Sequence, residues 1–144
     1  MNSQVTLNHH TYETITIGDI FSFEREITES IVEQFAELTG DRNPLHMDEA
    51  FANTTEFNGR IVHGMLLGSL FSTLVGMLIP GEKCLYISQD LRFRRPLPLG
   101  SSIKIQGEVM AKSDATRMID IKTTVVDDNQ QLIVDGLAKV KVRV

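Results

Sequence analysis

The sequence predicts an α+β protein in which an antiparallel sheet curls around one long, apolar central helix. Three observations point there. No Asp, Glu, Lys or Arg occurs between Ile61 and Ile79. After Pro80-Gly81, four segments alternate apolar and polar residues with a period of two. The 144 residues, 42% hydrophobic and 23% charged, have the size and balance of one globular domain, so a single domain over 1–144 is expected. A helix apolar all round must be surrounded, and a sheet with one apolar face must be covered. Wrapping the sheet around the helix meets both demands. Its free strand edges are a liability that pairing of two copies would remove, so a homodimer is expected.

Taken in order, Met1 to His10 lack the basic start and apolar run of a signal peptide. They are expected to form a flexible tail with His9 and His10 solvated. A first strand is expected from about Ile20 to Ile27, with Phe21, Phe23 and Arg25 on one side. Thr28 suits a helix N-cap, with Glu29 at the positive end of the dipole. Ile31, Phe35 and Leu38 recur at helical spacing, and Gly40 is placed to end that helix. Asp41 to His46 cannot be regular helix, because Pro44 lacks an N–H and pushes Asn43 towards an extended conformation. A helical turn around Asp48 to Phe51 follows, and Gly59-Arg60 lead into the apolar helix, which Pro80-Gly81 stops. About 20 apolar residues can span a bilayer. However, His63, Ser69, Ser72 and Thr73 interrupt this run and no basic cluster flanks it, so a buried helix and no membrane partner are expected. The strand patterns are Leu85 to Phe93, Ile103 to Ala111, Ile119 to Val125 and Val134 to Val142, with a hairpin turn at Asp127-Asp128-Asn129-Gln130.

The formal charge of −5 argues against a nucleic-acid partner, which would call for a basic surface. The single cysteine, Cys84, excludes an internal disulfide and suits the cytoplasm; among Leu85, Tyr86 and Ile87 it reads as packing.

The chemistry concentrates in Phe35-Ala36-Glu37-Leu38-Thr39-Gly40-Asp41-Arg42-Asn43-Pro44-Leu45-His46. A carboxylate and an imidazole stand five residues apart across an Asn-Pro kink. On a regular helix that spacing would turn them well apart, but a stiff loop can aim both into one cleft. The same residues are also plain turn chemistry: Asp41 could make an Asx turn, and His46 could be satisfied beneath the loop. A second feature is Ile61-Val62-His63-Gly64-Met65, where Gly64 falls near the first turn of the apolar helix. Backbone N–H groups there have no intrahelical partner, and one could donate to a thioester oxygen that gains charge during reaction. Gly64 could equally be a small residue for close packing.

These two stretches resemble the MaoC-like or (R)-specific enoyl-CoA hydratase family (hydratase 2) of the hot-dog fold. The resemblance covers the Phe35-to-His46 run with Ala52 and continues through Ile61-Val62-His63-Gly64-Met65-Leu66-Leu67. It spans roughly Ile17 to the C-terminus. It implies a hydro-lyase that adds water to a trans-2-enoyl thioester of coenzyme A, giving the (R)-3-hydroxyacyl thioester. Asp41 and His46 would be the catalytic pair and the Gly64 N–H would hold the thioester carbonyl. Asn43 would brace the loop, and Ser72 would support the pair or the water, although alone it would be expected to bond back to the preceding turn. Burial is expected to raise the carboxylate's pKa towards neutrality. Coenzyme A is part of the substrate and no separate cofactor is implied. For its phosphates the basic candidates are Arg92, Arg94 and Arg95, with Lys83 and Arg60 in reserve; an ordinary solvated strand face is the alternative. His63 would line the pocket or cap the helix. Asp41, His46 and His63 are metal-ligand types, but no paired-ligand spacing supports a metal site and none is expected. Two rival functions remain, a hot-dog thioesterase and a non-catalytic acyl-thioester binding module. Neither needs an Asp-x-Asn-Pro-x-His loop.

Overall fold

A computed structural model describes residue 2 and residues 4–144. The chain runs through β1 (Ile20–Glu26), α1 (Glu29–Thr39), α2 (Pro44–Met47), α3 (Glu49–Ala52) and α4 (Gly64–Thr73), which passes into a π-helical turn at Leu74–Leu78. The strands β2 (Cys84–Gln89), β3 (Arg92–Phe93), β4 (Ser102–Ser113), β5 (Met118–Asp127) and β6 (Leu132–Val142) follow. They form one sheet in the order β1-β4-β5-β6-β2, with β3 also on β6, and every pairing is antiparallel.

The period-two pattern sends Ile103, Ile105 and Val109 of β4, Ile119, Ile121 and Val125 of β5, and Val134, Ala138, Val140 and Val142 of β6 to one face, all buried. Against them lie Leu66, Leu67, Phe71, Leu74 and Val75 of the central helix. This is the expected α+β architecture of a curled sheet around an apolar helix. No described helix is long and apolar enough to cross a membrane.

Local signals explain the entry to the site. The Thr28 hydroxyl accepts from the Ile31 N–H at 3.3 Å, capping α1. Gly40 adopts the left-handed conformation (φ 81°) that ends it.

Four expectations need correction. The apolar segment does not enter the helix at once: Ile61 bridges Pro98 and Val62 donates to the Leu97 carbonyl at 2.8 Å, so Gly64 is the first helical residue. The Asp41–His46 stretch is not wholly non-helical, because Asn43 and Pro44 start the short helix α2, which carries His46. Pro44 occupies the first helical position, where a missing N–H costs nothing.

The strand expected over Leu85 to Phe93 breaks at Asp90-Leu91. There the Asp90 backbone folds over Gly136; a Cβ at 136 would meet the Asp90 carbonyl oxygen at 1.9 Å. The Asp90 carboxylate takes the Leu137 N–H at 3.0 Å in place of a ladder bond.

Residues 5–10 are not a loose tail. Val5 packs on the core. Asn8 donates from its backbone to the Met77 carbonyl at 2.7 Å and from its side chain to the Leu78 carbonyl at 3.0 Å. His10 donates to the Pro80 carbonyl at 3.2 Å. His9 is not free either, since its Nδ1 lies 2.7 Å from Glu82 Oε2, within hydrogen-bond distance. The end of a buried helix leaves carbonyls that need donors, and this strap supplies them. Met1 and Ser3 lie outside the described residues.

Candidate active site

The loop after Gly40 is held by its own polar groups. Asn43 donates its N–H to Asp41 Oδ1 at 3.2 Å, while its side-chain oxygen accepts the Leu45 N–H at 3.0 Å and caps α2. One residue therefore ties the carboxylate to the start of the helix that carries the imidazole. Asp41, His46 and His63 each present an acid, base or ligand atom, and these atoms lie within 4.8 Å of one another.

The orientation of His46 follows from its partner. Its Nδ1 lies 2.8 Å from the Ile61 carbonyl. A carbonyl only accepts, so Nδ1 carries a proton, and in the neutral form of the ring Nε2 is the nitrogen with the lone pair. His63 is arranged the other way round. Its Nε2–H donates to the Asp41 carbonyl at 2.9 Å, and Nδ1 is buried without a hydrogen-bond partner. The His46 and His63 rings lie 4.0 Å apart, tilted by 30°, and Phe35 meets His63 edge-on. Burial holds the His63 pKa below the ordinary histidine value, with the neighbouring His46 acting in the same direction; the Asp41 carbonyl and carboxylate oppose this without reversing it. His63 is therefore a neutral ring at neutral pH. The burial expected for Asp41 falls here instead: the Asp41 side chain is 51% exposed and the His63 side chain 2%.

Asp41, His46, His63 and Gly64 line one cleft of about 400 Å3, whose apolar wall includes Leu67, Leu97 and Val134. Gly64 opens α4, so its N–H has no carbonyl one turn back to bond, and His63 gives the helix no side-chain cap. The space beside Gly64 is not bare, however. The Phe93 ring lies over it, so that a Cβ at 64 would meet ring carbons at 2.9 Å. The bend at Asp90 and the two-residue pairing of β3 with β6 hold that ring in place.

The remaining candidates divide. Arg94 and Arg95 border the cleft. Arg94 is tied to Asp135 at 2.9 Å, whereas Arg95 makes no side-chain hydrogen bond or ion pair among the described residues. Arg92 is paired with Asp90 at 3.0 Å and lies outside the cleft lining, as does Lys83. Ser72 does not join Asp41 and His46. It is exposed and lines a different recess with Ser69, Tyr86 and Gln89, because eight residues of helix carry it about 12 Å beyond Gly64. Arg60 is no phosphate contact at the mouth: it is 8% exposed and donates from Nε to the His46 carbonyl at 2.6 Å. Cys84 remains packing, since burial pushes its thiol up to about 11 and leaves little thiolate at neutral pH.

Sequence reading missed Phe93 as a wall of the site, and missed Arg60 and the Ile61 carbonyl as its supports. A cation at the very edge of a charge-free stretch was the available signal for Arg60. For Phe93 and the carbonyl no local pattern exists. As for metals, the three clustered side chains have suitable ligand types. One ring nitrogen of each histidine is already committed to a backbone carbonyl, so binding through His63 Nε2 would break an existing bond.

Comparison with known proteins adds four findings. A family model described as the MaoC-like domain matches residues 14–131. The chain is 37% identical to a 3-hydroxybutyryl-CoA dehydratase of Methylorubrum extorquens, over 91% of this chain and 83% of that protein. It is also 37% identical to an (R)-specific enoyl-CoA hydratase of Aeromonas caviae, over 90% and 96% respectively. Among solved structures, the unliganded R-hydratase PhaJ1 of Pseudomonas aeruginosa superposes with a TM-score of 0.91 at 35% identity, covering 95% of this chain and 88% of the other.

Proposed function

This chain belongs to the MaoC-like domain family, and from that premise we propose that it adds water reversibly to the double bond of a trans-2-enoyl-CoA, giving the (R)-3-hydroxyacyl-CoA. The relatives named as an (R)-specific hydratase and a 3-hydroxybutyryl-CoA dehydratase describe the two directions of that reaction. The observation that carries the reading is the meeting of the Asp41 carboxylate and the His46 imidazole at one cleft, beside the open Gly64 end of the helix.

The mechanism follows from the atoms present. His46, with Nδ1–H engaged by Ile61, offers a lone pair at Nε2 that can take a proton. A water held between Nε2 and the Asp41 carboxylate loses a proton as its oxygen bonds to the β-carbon. The alkene π pair moves towards the thioester, and the charge on the carbonyl oxygen is met by the Gly64 N–H. The α-carbon then receives a proton from the same face, delivered by the pair, so no net proton is lost or gained. Dehydration is the reverse. Asn43 keeps the carboxylate in register with α2, and the apolar wall takes the acyl chain. Arg95, with no anionic partner among the described residues, is the foremost phosphate contact for coenzyme A, ahead of Arg94 and Arg92, which already hold carboxylates.

The active form is a homodimer. The outer edge of β2 has no strand partner among the described residues, and it carries Leu85 and Ile87, 47% and 51% exposed, next to Met65 at 58%. A second copy is the self-complementary cover for such an edge. The lone cysteine suits a reducing compartment such as the cytoplasm.

The test uses crotonyl-CoA. The enoyl absorbance is expected to fall with no release of free thiol, and the product to be the (R)-3-hydroxyacyl thioester. Thiol release would identify a thioesterase, and binding without turnover would identify an acyl-thioester binding module.

A further inference from the structure

Both members of the acid–base pair hang from one four-residue segment. Arg60 donates from Nε to the His46 carbonyl at 2.6 Å and from a terminal nitrogen to Glu29 at 2.9 Å. Ile61 donates its N–H to the Leu45 carbonyl at 3.3 Å and accepts the His46 Nδ1–H at 2.8 Å. His63 donates Nε2–H to the Asp41 carbonyl at 2.9 Å and lies against the His46 ring. The next residue is Gly64, so segment 60–63 ties the acid, the base and the open helix end to one piece of backbone.

Stability alone does not account for the two side chains. Arg60 is buried, yet its carboxylate partner Glu29 is 74% exposed. A half-solvated pair recovers little of the cost of taking a guanidinium out of water, and an apolar residue of similar size would fill the space more cheaply. His63 stands at the N-cap of α4 without making a capping bond, and it leaves Nδ1 buried and unpartnered. Their shortest bonds go instead to the carbonyls of His46 and Asp41.

We propose that Arg60 and His63 are positioning residues: Arg60 fixes the His46 backbone and hence the direction of its Nε2, while His63 fixes the Asp41 backbone and backs the His46 ring. This rests on the hydratase reading above. Two polar groups gripping main-chain carbonyls hold both reacting side chains to the geometry of the segment that carries Gly64. Small misplacements of a proton-transfer group cost turnover far more than binding.

The experiment compares disruptive and conservative variants at each position with crotonyl-CoA. Arg60→Met and His63→Leu are expected to lower kcat by about ten- to hundredfold with little change in KM. Arg60→Lys and His63→Gln, which each keep an N–H donor, are expected to recover most of the loss. A second readout needs no turnover: 15N shifts of the His46 imidazole are expected to show one Nδ1–H tautomer in the wild type and Arg60→Lys, and a mixture in Arg60→Met. Wild-type kcat in the disruptive variants, a loss confined to KM, or an unchanged tautomer in Arg60→Met would overturn the proposal. If Arg60→Met does not fold, Arg60→Ala, which also removes the donor, takes its place in both measurements. An inactive wild type would count against the hydratase reading alone, and the tautomer measurement would still decide the clamp.

Discussion

The two ends of the central helix are finished in opposite ways. At its C-terminal end, Asn8 and His10 donate to the carbonyls of Met77, Leu78 and Pro80, so the buried polar groups there are answered from within the chain. At its N-terminal end, Gly64 presents an N–H with no intrahelical acceptor, His63 makes no cap, and the space in front is a cleft. Burying an unpaired polar group costs about 1–3 kcal/mol. The strap answers one end and leaves the other open on the cleft, the arrangement that the proposed thioester contact at Gly64 requires.

That contrast can be broken at either end. The largest effect is expected in front of the open end, where Asp41→Ala and His46→Ala should each lower kcat by about 10²–10⁴-fold. Circular dichroism and melting temperature should change little, because neither side chain belongs to the buried core. Next in size is Gly64→Ala. The added methyl would meet the Phe93 ring at 2.9 Å, and displacing that ring at the proposed thioester site should cost about tenfold or more in kcat/KM. Adding Phe93→Ala should recover part of the loss.

At the closed end the effect moves to stability. Asn8→Ala removes the side-chain bond to the Leu78 carbonyl and should destabilise by about 1 kcal/mol in urea titration, with kcat unaltered. The smallest effect is the pH dependence from His63. Its folded pKa is lowered by burial, so between that value and the ordinary pKa of about 6.5 the unfolded chain binds the extra proton. Stability from this group is complete above about pH 6.5 and falls as the pH drops through that window, by at most about 1.4 kcal/mol per pH unit. His63→Leu should flatten that part of the curve.

The sequence was readable where a feature is local. Thr28 and Gly40 bracket α1 because caps are single-residue chemistry. β4, β5 and β6 follow from alternation because each has one buried face. Asp41, Asn43 and His46 could be singled out because the Pro44 kink is written in the chain. What stayed hidden depends on distant partners. The break in the edge strand needs the Asp90 carbonyl to meet Gly136, which is 46 positions away (136 − 90). The strap formed by residues 5–10 has no periodicity and draws its order from carbonyls about 70 residues later. Arg60 looked like a phosphate contact because sequence gives its charge and not its burial. Ser72 shares the apolar helix with Gly64, but two turns of helix take it to a different recess.

The central claim is that Asp41 and His46 act on one water as a unit. The direct measurement is single-turnover hydration of crotonyl-CoA by Asp41→Asn, His46→Gln and the combined variant. If the two residues share one proton transfer, the combined variant should be within about threefold of the slower single variant, since the step is already lost when either member is gone. Rate losses that multiply in the combined variant would show two independent contributions and would contradict the account.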